Sequence, residues 1–200
     1  MNVVSAHNMQ NGGVKMVIDF HTHAFPDKIA QRAIVSLVEG CNGEYTPCSD
    51  GTVSGLFANM DKFGVNVSIV QPVITKPSQT VTLNNWAKEI TCDRLVSFGG
   101  IHPATDDYKR DINFVCELGL PGIKLHPDFQ HFQIDSETMD PIYEVLSSLN
   151  MPILVHAGDV RYDFSGPKRI ANVLDKHPNL KVIAAHFGGY TEWDASFEYL

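Results

Sequence analysis

The sequence lacks an excess of basic residues. Lysine and arginine together number 15 against 23 aspartates and glutamates, which gives the 200-residue chain a formal net charge of −8. Binding to nucleic acid usually requires a basic face, because contacts to the phosphate backbone dominate the affinity. The composition therefore predicts no nucleic-acid partner and is compatible with a small-molecule substrate.

Cysteines and long apolar runs are also scarce. The four cysteines include no C-x-x-C pair, which argues against a disulfide scaffold, a zinc ribbon and a thioredoxin-like site. We expect reduced thiols and a cytoplasmic location. No apolar run approaches the roughly 20 residues of a membrane span, so no membrane partner is predicted. Residues 1–15 have no apolar centre and are interpreted as a flexible leader, not a signal peptide.

What the chain does have is a hydrophobic content of 44%, distributed in short runs between helical patterns. The runs are rich in Val, Ile and Leu, as strands buried on both faces should be. Six strands are predicted: Met16–Phe20, Val65–Val73, Leu95–Ile101, Gly122–Leu125, Pro152–Val155 and Lys181–Ala185. Six consecutive strand–helix units indicate an α/β fold with a parallel sheet and right-handed crossovers.

Helix ends are marked by capping residues and glycines. The predicted helices begin at Asp27, cover Ser54–Phe63, Asp106–Leu118 and Lys168–Lys176, include Ile142–Leu149, and follow Thr191. An open nucleotide-binding sheet would need a G-x-G-x-x-G loop after its first strand. The sequence has Asp19-Phe20-His21-Thr22-His23 at that place. The absence of the glycine-rich loop favours a (β/α)₈ TIM barrel over the open sheet, and six βα units of such a barrel are predicted.

Histidines close the predicted strands. His21 and His23 lie two residues apart at the end of the first strand, so their side chains share a face. Four more histidines end the later strand runs: His102, His126, His156 and His186. In a barrel, the carboxyl ends of the strands form the catalytic mouth. A buried histidine is common, but six at the same end of one sheet predict a functional site, and His21 and His23 could bind one metal together.

Five motifs follow the strands in order: D-F-H-T-H, G-I-H-P, G-I-K-L-H-P, P-I-L-V-H-A-G and A-A-H-F-G-G. Together they resemble the amidohydrolase superfamily, and within it the amidohydrolase-related branch of metal-dependent hydrolases and decarboxylases. The resemblance extends from Val17 to Leu200. It implies that His21, His23 and His156 bind a divalent metal and that His186 orients or protonates the substrate. We expect these imidazoles to converge on one point.

The resemblance also implies the chemistry. Zn²⁺ suits a site of three imidazoles and one carboxylate, with Mn²⁺ or Fe²⁺ as alternatives. A metal of this kind activates a water molecule, which predicts a hydrolase. A non-oxidative decarboxylase on the same site is the alternative.

The family's eighth strand carries an Asp that completes the metal site, and none of the six predicted strands supplies it. A (β/α)₈ barrel typically needs about 250 residues. We therefore expect residues 16–200 to form an incomplete barrel domain of a truncated chain. An inactive or ligand-binding barrel fragment is a third alternative, and unpaired edge strands leave a homo-oligomer open.

Further side chains are assigned to the substrate. Lys124 and Arg161 are predicted to contact an anionic, carboxylate-bearing molecule, and His126 and His102 are predicted to line the same site. A second metal at a carboxylated Lys124, as in the binuclear branches of the superfamily, is an alternative. TatD-type nucleases, which should carry a Glu at the position of Lys124, fit less well. Asp19 is a candidate acceptor for an imidazole N–H, with a backbone hydrogen bond as its alternative.

Overall fold

The computed structural model of the chain describes residues 16–40, 46–159 and 161–200, so the predicted leader lies outside the described residues. Seven strands are assigned within these ranges: β1 (Ile18–Thr22), β2 (Val67–Val70), β3 (Leu95–Ser97), β4 (Gly99–Gly100), β5 (Ile123–Leu125), β6 (Ile153–Val155) and β7 (Val182–Ala184). The α-helices are α1 (Asp27–Gly40), α2 (Val53–Phe63), α3 (Thr80–Ile90), α4 (Tyr108–Glu117), α5 (Pro127–Gln130), α6 (Asp140–Ser148), α7 (Pro167–Lys176) and α8 (Trp193–Tyr199).

The strands pair in the order in which they occur along the chain. One sheet has the order β1-β2-β3 and the other has the order β4-β5-β6-β7, and every pair is parallel. Only Phe98 separates β3 from β4. A doubly wound sheet would instead reverse its strand order at a switch point. The α/β class with sequentially ordered parallel strands is therefore confirmed.

Side chains alternate between two buried layers. Ile123 and Leu125 of β5 and Ile153 and Val155 of β6 belong to the largest hydrophobic cluster, which includes residues of α4, α6 and α7. Leu154 lies between the β6 pair and belongs instead to a smaller cluster with side chains from β2 and β7. Lys124 alternates in the same way with its apolar neighbours on β5.

The helices begin close to the predicted positions. Thr52 caps α2 through a hydrogen bond from the backbone N–H of Gly55. Asp107 caps α4, and the nearby hydroxyl of Thr105 donates to the carboxylate of Asp111. Helix α1 begins at Asp27 as predicted. Among the described residues, no helix has both the length and the apolar character needed to cross a membrane.

Helix α3 is an element that the sequence patterns did not identify. Its buried positions are Thr80, Asn84 and Ala87. These residues have helical spacing but are polar or small, so the helix has no clear apolar stripe. The Asn84 carboxamide explains why a polar residue is buried, because it donates to the carbonyl of Gly100 at 2.8 Å and accepts from the N–H of Gly100 at 2.8 Å.

Candidate metal and catalytic site

The first two histidines meet at the end of β1. The Nε2 atoms of His21 and His23 are 3.1 Å apart, so the prediction that these side chains share a face is confirmed. Two imidazole nitrogens bound to one tetrahedral zinc would lie about 3.3 Å apart, given Zn–N bonds of about 2.0–2.1 Å. The pair therefore already has nearly the nitrogen spacing of two ligands on one ion.

A backbone carbonyl fixes the tautomer of His23. Its Nδ1 atom lies 2.8 Å from the carbonyl oxygen of Gln71, the residue that follows β2. A carbonyl oxygen can only accept, so Nδ1 carries the proton and Nε2 presents a lone pair towards His21. Metal-binding histidines commonly donate their second ring N–H in this way.

His156 and His186 form a second pair on β6 and β7. The Nδ1 atom of His156 lies 3.1 Å from the Nε2 atom of His186. The His186 ring is central, because its centroid is 4.8 Å from those of both His21 and His156. The four imidazoles are therefore continuous, although His156 reaches the first pair through His186.

The turn that presents His186 is unusual. His186 and Phe187 adopt φ values of 56° and 55°. Non-glycine residues rarely occupy this left-handed region, and backbone strain of this kind occurs preferentially at functional sites. The indole N–H of Trp193 donates to the carbonyl of His186 and helps to hold the turn.

Buried Lys124 is the main charge at the site. Its side chain is 1% exposed, and its Nζ atom has no hydrogen-bond partner among the described residues. Desolvation by burial lowers the pKa of this ammonium to about 7, and the charge of Asp128 opposes that shift. An anionic group is the natural partner for a cation held in this position.

The imidazoles of the site are held in the neutral form. Desolvation, followed by the charge of Lys124, lowers the pKa of His156 to about 3 and also lowers the pKa of His186. The same two causes lower the pKa values of His21 and His23. His23 is the more exposed of these two residues. Neutral imidazoles can offer lone pairs to a metal at physiological pH.

Asp128 lies among these groups, and sequence reasoning missed it. Its side chain is 2% exposed, and Oδ2 lies 3.7 Å from Nε2 of His156 and 3.8 Å from Nδ1 of His126. Desolvation, then the nearby Asp159, raises the pKa of Asp128 to about 6. The available signal was the short interval from His126 to Asp128, which we interpreted only as the end of a strand.

His126 lies within a stack of aromatic rings. Its ring is 4.2 Å from that of His156, nearly parallel at 10°, and 4.0 Å from that of Phe129 at 17°. The predicted proximity of His126 to the site is therefore found. Its assignment to substrate binding stays a prediction, because the structure shows packing against His156 and nothing of a substrate.

Two other predicted residues, His102 and Asp19, have structural partners. The Nδ1 atom of His102 accepts from the N–H of Ala104, and the ring also bonds the backbone at Thr75, so both nitrogens serve the local fold. The carboxylate of Asp19 accepts from the backbone N–H of His21. The backbone alternative for Asp19 is therefore observed, and its partnership with an imidazole N–H stays a prediction.

Arg161 is engaged by the protein. Its Nε and Nη2 atoms contact the Asp159 carboxylate, with the closest approach at 2.6 Å, and Nη1 donates to the carbonyl of Gly40 at 2.7 Å. This guanidinium ties the loop after β6 to the end of α1. Its predicted contact with substrate stays a prediction, and it would have to be made in addition to these bonds.

The donor set suits a transition metal. Imidazole nitrogens with lone pairs facing one another are typical ligands of zinc, manganese and iron sites. Among the described residues, no group of three or more His, Cys, Asp or Glu side chains already has the geometry of a complete site. The structure therefore shows two imidazole pairs, and the convergence of His21, His23 and His156 on one metal stays a prediction.

A family model for amidohydrolases matches residues 18–199. The chain belongs to the amidohydrolase family. This membership agrees with the motifs on β1, β5, β6 and β7, and it identifies the chain as a member of an enzyme family.

Solved structures similar to this amidohydrolase share its fold at low sequence identity. An uncharacterised TIM-barrel protein from Bordetella bronchiseptica is 16% identical, with a TM-score of 0.68 over 92% of this chain and 72% of that one. A 5-carboxyvanillate decarboxylase from Novosphingobium aromaticivorans, complexed with manganese and a nitrobenzoic acid, is 18% identical, with a TM-score of 0.68 over 92% and 69%. A probable 2-pyrone-4,6-dicarboxylic acid hydrolase from Acinetobacter baumannii is 19% identical, with a TM-score of 0.57 over 92% and 66%. These likenesses establish the TIM-barrel-like fold.

Proposed function

We propose that this amidohydrolase is a metal-dependent enzyme that acts on a small carboxylate-bearing molecule, with hydrolysis as the first candidate reaction. The observation that carries the proposal is the set of four neutral imidazoles at the ends of β1, β6 and β7, with nitrogen pairs 3.1 Å apart. His21, His23 and His156 would hold the metal. A divalent cation there would act as a Lewis acid and lower the pKa of a bound water.

The remaining groups have roles of their own in this proposal. Lys124 would bind the carboxylate of the substrate, because its desolvated ammonium has no hydrogen-bond partner among the described residues. His186 lies between the two imidazole pairs and would orient the substrate or transfer a proton at Nε2. Its lowered pKa leaves it neutral and able to accept a proton at physiological pH.

Decarboxylation is the second candidate. The same Lys124 that binds a carboxylate is suited to a substrate that loses one, and the similar structures include a 5-carboxyvanillate decarboxylase. In that reaction, His186 would first take up a proton from solvent or substrate and then deliver it to the substrate carbon, where a C–H bond replaces the C–C bond to the departing CO₂. The metal ligands alone do not distinguish hydrolysis from decarboxylation, so the substrate must decide.

Metal content and turnover test the proposal together. We expect the purified chain to bind zinc or manganese, and His23→Ala and His156→Ala to lose it. His131→Asn is the matched control, since His131 is an exposed histidine outside the cluster. Equal metal in all four proteins would refute the site.

The activity assay compares release of CO₂ from aromatic carboxylates with hydrolysis of esters and lactones that carry a carboxylate. Turnover should disappear with a chelator and return with the metal. Metal binding without any turnover would instead support the third alternative, a ligand-binding barrel.

A further inference from the structure

The carboxylate of Asp128 lies between two imidazoles at the start of α5. Its Oδ2 atom is 3.7 Å from Nε2 of His156 and 3.8 Å from Nδ1 of His126. The hydroxyl of Ser165 donates to the same oxygen at 3.3 Å. Because the hydroxyl and the two imidazoles approach one oxygen, the carboxylate has a defined position, although both imidazoles are slightly beyond hydrogen-bonding distance.

The two imidazole nitrogens that face the Asp128 carboxylate are unsatisfied. Among the described residues, Nε2 of His156 and Nδ1 of His126 are buried without a hydrogen-bond partner, and so is Oδ1, the other carboxylate oxygen of Asp128. A buried polar atom in this condition costs about 1–3 kcal/mol. A ring or carboxylate movement of roughly half an ångström would close the gap to the usual bond length of about 2.9 Å to 3.2 Å. A small shift of either group would therefore form a hydrogen bond between the Asp128 carboxylate and one of the imidazoles.

Of the two imidazoles next to Asp128, His156 is the one whose second ring nitrogen contacts another histidine of the site. Its Nδ1 atom faces Nε2 of His186 at 3.1 Å. His23 shows the same division, with one nitrogen bound to the carbonyl of Gln71 and the other directed at the cluster. The His156 ring also stacks on the His126 ring, with centroids 4.2 Å apart and planes inclined by 10°.

We propose that Asp128 is the positioning residue of His156. Its carboxylate accepts a hydrogen bond from Nε2–H of that ring. The Nδ1 lone pair is then directed towards His186 and towards the metal that His156 would help to bind. The inference rests on the proposed function, because it assigns to His156 the nitrogen that binds metal. Removing such a partner typically lowers metal affinity by about 10–100-fold.

The tautomer of His156 gives a direct readout without metal. In ¹⁵N–¹H spectra of the metal-free protein we expect His156 to carry its proton on Nε2. Asp128→Ala should give a mixture of tautomers, and Asp128→Asn, whose amide oxygen can still accept, should keep more of the Nε2–H form. A wild-type ring protonated on Nδ1 would overturn the proposal, as would an unchanged tautomer in Asp128→Ala.

Zinc affinity, measured by competition with a chromophoric chelator, gives the second readout. We expect a 10–100-fold loss in Asp128→Ala and a smaller loss in Asp128→Asn. The control is Asp111→Asn, which alters another buried carboxylate, one that is 4% exposed and bonded to Thr105 and Arg110. Equal losses in Asp128→Ala and the control would refute a positioning role.

The two proposals can fail separately. A wild-type chain that binds no zinc but shows the Nε2–H tautomer would refute the proposed function and retain the Asp128 bond. A zinc-binding chain in which His156 keeps its tautomer after Asp128→Ala would refute the role of Asp128 and leave the proposed function standing.

Discussion

At the scale of single residues, the site depends on a conflict between Lys124 and its surroundings. A cation that is 1% exposed loses its hydration, and its Nζ atom finds no hydrogen bond among the described residues in return. Such a residue is unfavourable for folding and is consistent with a role in binding. Stability and ligand binding should therefore respond in opposite directions when Lys124 is replaced.

We predict that Lys124→Met raises the free energy of unfolding by about 1–3 kcal/mol near pH 6, because an unpaired buried charge is removed. The folded-state pKa of Lys124, about 7, lies below the unfolded value, so wild-type stability rises as the pH increases above 7. The stability advantage of Lys124→Met over the wild type therefore becomes smaller at higher pH. Urea denaturation at several pH values measures this. Lys88→Met, on the exposed face of α3, should change stability by less than about 0.5 kcal/mol. A Lys124→Met chain that is clearly destabilised would contradict the argument.

Individual residues also show where sequence reasoning reached its limit. His21, His23, His126, His156 and His186 could be placed near one another because parallel strands end at the same edge of a sheet. The contact between His23 and the backbone carbonyl of Gln71 could not be predicted, because every residue has a carbonyl and the sequence does not distinguish this one. Asp128 was missed because its role depends on where the short helix α5 turns after His126, which no periodicity shows.

At the scale of elements, the loops after β6 and β7 meet at two glycines. Gly158 has a φ of 71°, and a Cβ added there would lie 2.4 Å from the carbonyl oxygen of Gly189. His156 is the first residue after β6, and His186 is the second residue after β7. The two backbones therefore approach each other within three residues of both imidazoles.

We predict that Gly158→Ala lowers the free energy of unfolding by at least about 2 kcal/mol, because it combines a left-handed backbone with a clash against main-chain atoms. Gly40→Ala is the control, since a Cβ at Gly40 meets no atom within 4 Å. We expect that change to be neutral or slightly stabilising. Urea denaturation followed by circular dichroism measures both. If the two variants are equally stable, the loops have room to separate.

The elements that were predicted well have apolar sequences, and the missed ones do not. The cores of the strands β2, β5, β6 and β7 fall inside apolar runs that the sequence displays directly. Helix α3 buries Asn84 for its bonds to Gly100, so its inner face is polar and escapes a search for apolar periodicity.

At the scale of the whole molecule, the site links stability to pH. His126 and His156 are 8% and 9% exposed, and burial lowers the pKa of both. An unfolded imidazole takes up a proton below about pH 6.5, whereas the folded one does not, so stability falls as the pH falls. Asp128 acts with the opposite sign, because its raised pKa makes the folded state bind a proton near pH 6 while the unfolded state does not.

We predict that the metal-free chain loses at least about 2 kcal/mol of unfolding free energy between about pH 7.5 and pH 5.5. His126 and His156 each contribute about 1.4 kcal/mol to this loss, and Asp128 offsets about 1 kcal/mol of it. Lys124 and the less buried imidazoles of the site also have lowered pKa values and add to the loss with the same sign. Urea denaturation with a chelator present measures the change, and an unchanged m-value shows that the unfolding transition is the same. In Asp128→Asn the loss should be larger, because the opposing carboxyl is gone. A stability that is flat over this range would mean that the cluster is already hydrated or protonated in the folded chain, and the lone pairs needed for a metal would then not be available.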